Sequence, residues 1–132
     1  MRAIADTNLL VRAIVQDDPG QTRLATEALL AAEVVAITPV ALCEFVWVAS
    51  RAYRLGSGEI AAAIRTLLAA RNVEADWRLV EAGLAMLDAG GDFADGVIAY
   101  DGLRLGGDIF LSFDQRAVRR LEAQGEPARL LE

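Results

Sequence analysis

"VVAITPVALCEFVWVAS", residues 34–50, passes from one regular element to the next without a linker. Val34 to Ile37 is β-branched and bounded, which predicts a strand. Thr38-Pro39 then opens a helix, with Thr38 as N-cap and Pro39 at the first helical position. The same hand-over recurs on either side. "RAIA" at 2–5 reads as a short buried strand before a helix over 7–16 with Leu10, Ala13 and Ile14 on one face. Asp18-Pro19 starts a helix carrying Leu24, Ala25, Ala28 and Ala31. Gly56-Ser57-Gly58 ends the helix that contains Glu44, and Ile60, Ile64, Leu67 and Leu68 define the next. A weak strand near 73–75 precedes a helix from Asp76 with Trp77, Val80, Leu84 and Leu87 at helical spacing. "DFADGVIAYDGLRLG" (92–106) reads as a helix and "DIFLSF" (108–113) as a strand. A helix over 115–123 and a strand at "ARLL" (128–131) close the chain.

Parallel neighbours need crossover connections, which are usually helical, so strands alternating with helices predict an α/β fold: a three-layer unit with a mainly parallel central sheet and helices on both faces. With 132 residues and 55% hydrophobic content, the expectation is a single domain over 1–132. Strand C-termini in such sheets share one edge, and that edge holds the site. Asp6 follows the first strand and Asp114 follows "DIFLSF"; if those strands are neighbours, the two carboxylates converge.

Composition narrows the chemistry. The chain has no His and no Lys, its 13 basic residues all being Arg. Ser-His-Asp catalysis, histidine metal ligation, P-loops and Schiff-base chemistry are therefore excluded. A lone Cys43 excludes an internal disulfide and a zinc site, and reads as a small core residue. Ten Asp and nine Glu remain, so any catalysis falls to carboxylates. No apolar run approaches the roughly 18 residues that span a bilayer, and "MRAIADTN" is too polar for a signal peptide, which predicts a cytoplasmic protein.

Glu44 stands among Val40, Ala41, Trp47 and Val48, its neighbours one helical turn away, and the spacing predicts an inward, apolar face. A carboxylate there is neutralised by a proton, an Arg from elsewhere or a metal, unless it reaches solvent at the edge. Asp92 and Asp95, three apart, fit N-cap and first-turn positions, yet Asp95 is followed by Ile98 and Ala99 and also looks inward. Asp6 and Asp114 could cap the helices that follow them. Alternatively, four carboxylates gathered at one edge need cations, and oxygen donors without N or S suit Mg2+ or Mn2+, ions that support phosphodiester hydrolysis.

"IADTNLLVRAI", "PVALCEFVWVA", "GDFADGVIAY" and "LSFDQRAVRRL", in that order over nearly the whole chain, resemble a PIN-domain ribonuclease, specifically the VapC-type toxins of bacterial toxin–antitoxin systems. The resemblance implies a catalytic, metal-binding tetrad of Asp6, Glu44, Asp95 and Asp114. Asn8 and Ser112 would be polar residues beside it, and Asp92 would assist or only cap. One departure is Gly96, where such sequences commonly carry Ala; it costs roughly 1 kcal/mol of helix propensity.

A net charge of −6 sits poorly with RNA binding unless bound dications offset the tetrad. Arg116, Arg119 and Arg120 could contact RNA phosphates or form a solvated helix face. Aromatics, at 6%, are too few for broad base stacking. A mean hydropathy of +0.33 leaves apolar residues to face other chains: a homodimer partner and, through the resemblance, an antitoxin, with residues 20–72 the place to look. The expected function is a Mg2+- or Mn2+-dependent endoribonuclease acting as a toxin. The rivals are a non-catalytic PIN-like binding module and a DNA-directed nuclease; a phosphorylatable receiver domain lacks its Lys.

Overall fold

Arg2–Ile4 (β1), Val34–Ala36 (β2) and Val73–Glu74 (β3) form a parallel sheet in the order β1-β2-β3. The register sets Ala3 beside Val35 and Val35 beside Val73. The ladder runs on past the strand ends, with Ala5 N donating to Ala36 O at 3.0 Å and Ile37 N to Glu74 O at 3.0 Å. All three strands point the same way, so Asp6, Thr38 and Asp76 follow from one edge, as the alternation predicts. The computed structural model describes all 132 residues, in two compact units, Met1–Asp76 and Trp77–Glu132.

In the first unit the helices are Thr7–Val15 (α1), Pro19–Ala31 (α2), Pro39–Arg51 (α3) and Ser57–Leu68 (α4). Their starts are set locally. Asp18 accepts from Gln21 N at 3.1 Å, Thr38 accepts from Ala41 N at 3.2 Å, and the Glu59 side chain accepts from Gly56 N at 3.2 Å, each satisfying an amide that has no partner within its helix. The end of α2 is closed from a distance: Asn72 Nδ2 donates to Leu29 O and Ala32 O at 2.8 and 2.9 Å, tying α2 to the start of β3. The core is Leu10, Val35, Leu42, Phe45, Ala49, Ile60 and Ile64.

Two predicted faces turn out differently. On α2 only Ala25 is buried, while Leu24 is 62% exposed and Ala31 is exposed. On α3 the buried residues are Ala41, Leu42, Phe45, Val46 and Ala49, which turns Val40, Glu44 and Trp47 outward. Both stripes of α3 are apolar in sequence, and the larger one, with Leu42 and Phe45, goes into the core. Cys43 is half-buried beside that stripe rather than within the core.

The second unit contains Trp77–Asp88 (α5), Phe93–Arg104 (α6), Phe110–Ser112 (β4), Gln115–Ala123 (α7) and Ala128–Leu130 (β5). β4 and β5 pair in parallel as a separate two-stranded sheet, Leu111 beside Arg129. The strands ahead of Asp6 and Asp114 thus pair with β2 and β5, and not with one another. Phe93, Leu79, Val80, Met86 and Leu121 make the core. α5 and α6 pack through two glycines: a methyl on Gly83 would stand 2.5 Å from the Phe93 ring, and one on Gly96 would overlap the Ala82 carbonyl. Gly96, a loss of helix propensity by sequence, is what lets the two backbones approach. Ile98 is 57% exposed, so the face beyond Asp95 is only partly inward.

Candidate metal-binding carboxylates

Asp6 stands at the N-cap position of α1, yet its side chain makes no capping hydrogen bond. The capping alternative is not realised there, and the exposed carboxylate is left for another use. Its backbone carbonyl accepts from Leu9 N and Leu10 N, fixing the first turn of α1. Asn8 is exposed on the same turn. Thr7, between them, is buried, and its hydroxyl donates to Glu44 Oε2 at 2.9 Å. This bond joins the start of α1 to the second turn of α3, holding Glu44 beside the residue that follows Asp6.

Glu44 itself is exposed and pairs with no arginine. The expected burial of this carboxylate is corrected: Glu44 reaches solvent at the edge of α3. What orients it is a neutral hydroxyl. Sequence alone does not single out Thr7; the available signal is a hydroxyl placed three and four residues ahead of Leu10 and Val11, on the buried face of α1.

The second unit holds the other acids. Asp92 accepts from Ala94 N at 3.1 Å and so caps α6. Asp95, in the first turn, is half-buried, and its carboxyl is raised above the ordinary range by burial first and then by the negative charges of Asp92 and Asp114, with Arg120 opposing. These residues therefore form one electrostatic cluster in which anionic charge outweighs its local compensation. Asp114 is exposed and caps α7, accepting from Arg116 N at 3.0 Å and Ala117 N at 3.3 Å. Ser112 Oγ accepts from Asp114 N at 2.9 Å, shaping the turn that delivers it.

Arg116 and Arg119 are exposed on α7. Arg120 is half-buried and crosses the Gly90-Gly91 turn; a methyl on Gly91 would meet its Cδ at 2.9 Å. Of the three arginine side chains only that of Arg120 is engaged with the acidic cluster.

No three acidic side chains surround a common point, so the chain presents no preassembled metal cage. The donor chemistry nonetheless suits a hard dication: every candidate ligand is a carboxylate, and the proton affinity of Asp95 marks charge that a cation would relieve. The PIN domain model matches residues 3–123, which takes in all four tetrad candidates and most of each unit.

The chain belongs to the PIN domain family. PIN domains are generally nucleases and typically use divalent metal ions. No curated protein matches the chain. For a PIN domain, an α/β fold with seven helices and a parallel three-stranded sheet is the fold to be expected. No helix is long and apolar enough to cross a membrane.

Proposed function

We propose that this PIN domain is a Mg2+- or Mn2+-dependent endoribonuclease and the toxin of a toxin–antitoxin pair. Asp6, Glu44, Asp95 and Asp114 would hold the metal. The observation that carries the reading is the presence of all four carboxylates in a chain of this family that has no His and no Lys. A bound divalent ion would supply charge stabilisation at the phosphoryl oxygens and an activated water.

The chain's own groups have separable tasks. Thr7 holds the Glu44 carboxylate, and Ser112 and the α7 amides hold Asp114. Asp95, half-buried and beside the negative charges of Asp92 and Asp114, carries charge that a cation would relieve. Asp92 raises that attraction while capping α6. Arg116 and Arg119 are free on the surface to meet substrate phosphates.

The toxin role rests on apolar surface in the first unit. A groove of about 550 Å³ lies between α1, α2 and α4, lined by Ile14, Leu29, Leu30, Ala63 and Leu67 among others. Leu30 beside it is 79% exposed. An antitoxin segment with an apolar face would cover this surface, and a second copy of the chain would cover other apolar residues; the protein would then act in the cytoplasm.

The deciding experiment incubates purified protein with mixed RNAs and DNAs, with and without Mg2+. RNA cleavage that stops in excess EDTA supports the reading. Cleavage of DNA alone points to a DNA nuclease, and cleavage of neither to a binding module. Expression of the chain alone should slow bacterial growth, and co-expression with its neighbouring reading frame should relieve it.

A further inference from the structure

The outward stripe of α3 carries more than Glu44. Trp47, one turn on, is 61% exposed, and the guanidinium carbon of Arg51, another turn on, lies 5.9 Å from the centroid of its ring. Arg51 forms no ion pair with a carboxylate, so its charge is shared between the indole face and solvent. A tryptophan has among the largest apolar surfaces of any side chain, and α3 has a buried face that could have taken it. Instead the ring stands at the surface beside a free cation, next to a proposed metal ligand.

We propose that Trp47 is the stacking platform for one unpaired base of the RNA substrate, with Arg51 holding a phosphate of the same strand. The inference rests on the ribonuclease reading and deepens it by naming how substrate is gripped. Every base has a π-face, so an indole takes any of them, and an adjacent arginine meets the backbone that the base carries. Residues three apart on a helix are neighbours, so a base on Trp47 brings its own phosphates within reach of Glu44. In a chain of net charge −6, affinity for a polyanion has to come from such local contacts rather than from a broad positive field.

A second copy of the chain suits this stripe less well. Glu44 and Arg51 flank the ring on either side, and the buried centre of a protein–protein interface is depleted of charge. Covering the stripe would also cover Glu44. The other arginine–aromatic contact, Arg104 with Tyr100 at 5.9 Å, differs in kind: Tyr100 is half-buried, and Arg104 also reaches Asp101 at 4.0 Å.

Trp47 and Trp77 are the two tryptophans, so Trp77→Phe makes Trp47 the sole reporter. Titrating that protein in EDTA with a short, unstructured, mixed-sequence RNA should quench its emission. Trp47→Ala should weaken binding roughly 5- to 150-fold, the range for one lost base stack, and Trp47→Phe should restore most of it. In the cleavage assay Trp47→Ala should raise KM and leave kcat near wild type. Arg51→Gln should reduce the slope of log affinity against log salt by about 0.7. Unchanged emission at saturating RNA overturns the platform, as does wild-type affinity in Trp47→Ala. Conversion of a dimer to a monomer by Trp47→Ala overturns it too, assigning the ring to a subunit interface. Wild-type protein that neither binds nor cleaves RNA overturns both this inference and the ribonuclease reading; cleavage unaffected by Trp47→Ala overturns the platform alone.

Discussion

Thr7 and Glu44 are 37 positions apart in the chain and joined by a 2.9 Å hydrogen bond from the Thr7 hydroxyl to Glu44 Oε2. Through it the buried face of α1 fixes an exposed acid on α3. Thr7→Val keeps the shape and removes the donor. Because Glu44 remains solvated, the fold should lose only about 1 kcal/mol. Groups that orient a metal ligand matter far more to the metal, so Mn2+ affinity should fall by about 10- to 100-fold. Thr7→Ser should keep both. Calorimetric Mn2+ titration beside a denaturant melt reads the two effects separately, and equal affinity in Thr7→Val would show that the bond is structural only.

Gly96 and Ala82 form a second constraint of this kind, in the second unit. Gly96→Ala improves intrinsic helix propensity by roughly 1 kcal/mol, yet its methyl would overlap a backbone carbonyl that cannot swing aside. Overpacking of this sort costs about 1–3 kcal/mol, so the net change should be destabilising. A fall in melting temperature checks it. A rise would mean that α5 and α6 part at no cost.

Asp95 gives a pH signature. Its carboxyl is raised from 3.8 by burial, then by Asp92 and Asp114. The native state therefore holds this proton more tightly than the unfolded chain. Stability of the metal-free protein should fall as pH rises from the unfolded value through the raised native one, and level off above it. Asp95→Asn should flatten that window and raise the melting temperature at neutral pH in EDTA. Asp92→Asn keeps the α6 cap and removes one repelling charge, so NMR titration should find the Asp95 carboxyl lowered toward its ordinary range. Arg120→Gln should move it the other way.

What was legible in the sequence was local. Thr38-Pro39, Asp18-Pro19 and the strand patterns at 34–37 and 108–113 carry their signals within a few residues, and the elements form within those stretches, the strands at Val34–Ala36 and Phe110–Ser112. The candidate acids were legible as chemistry, because a chain without His or Lys leaves few other groups for catalysis. What depended on distant residues was not. Glu44 was expected on a buried face because both stripes of α3 are apolar, and only packing decides which one the core takes. Thr7 reaches Glu44 through the fold and not through spacing. Leu24 and Ala31 fit an amphipathic pattern on α2, but a pattern does not say whether the surface that receives it belongs to the same chain.

The most direct test of the carboxylate metal site is the Mn2+-dependent change in melting temperature of the wild type and of four variants, Asp6→Asn, Glu44→Gln, Asp95→Asn and Asp114→Asn. At ten times its Kd, one bound ion stabilises the native state by about 1.4 kcal/mol. The wild type should show that rise, and each variant should lose most of it. The loss in Asp114→Asn is the most telling, because Asn caps α7 as well as Asp does and so leaves the metal-free fold nearly unchanged. Asp17→Asn, which breaks the 2.7 Å pair with Arg12, should shift the baseline and keep the full Mn2+ increment. If Glu44→Gln keeps the wild-type increment, Glu44 is not a ligand, and the account is contradicted.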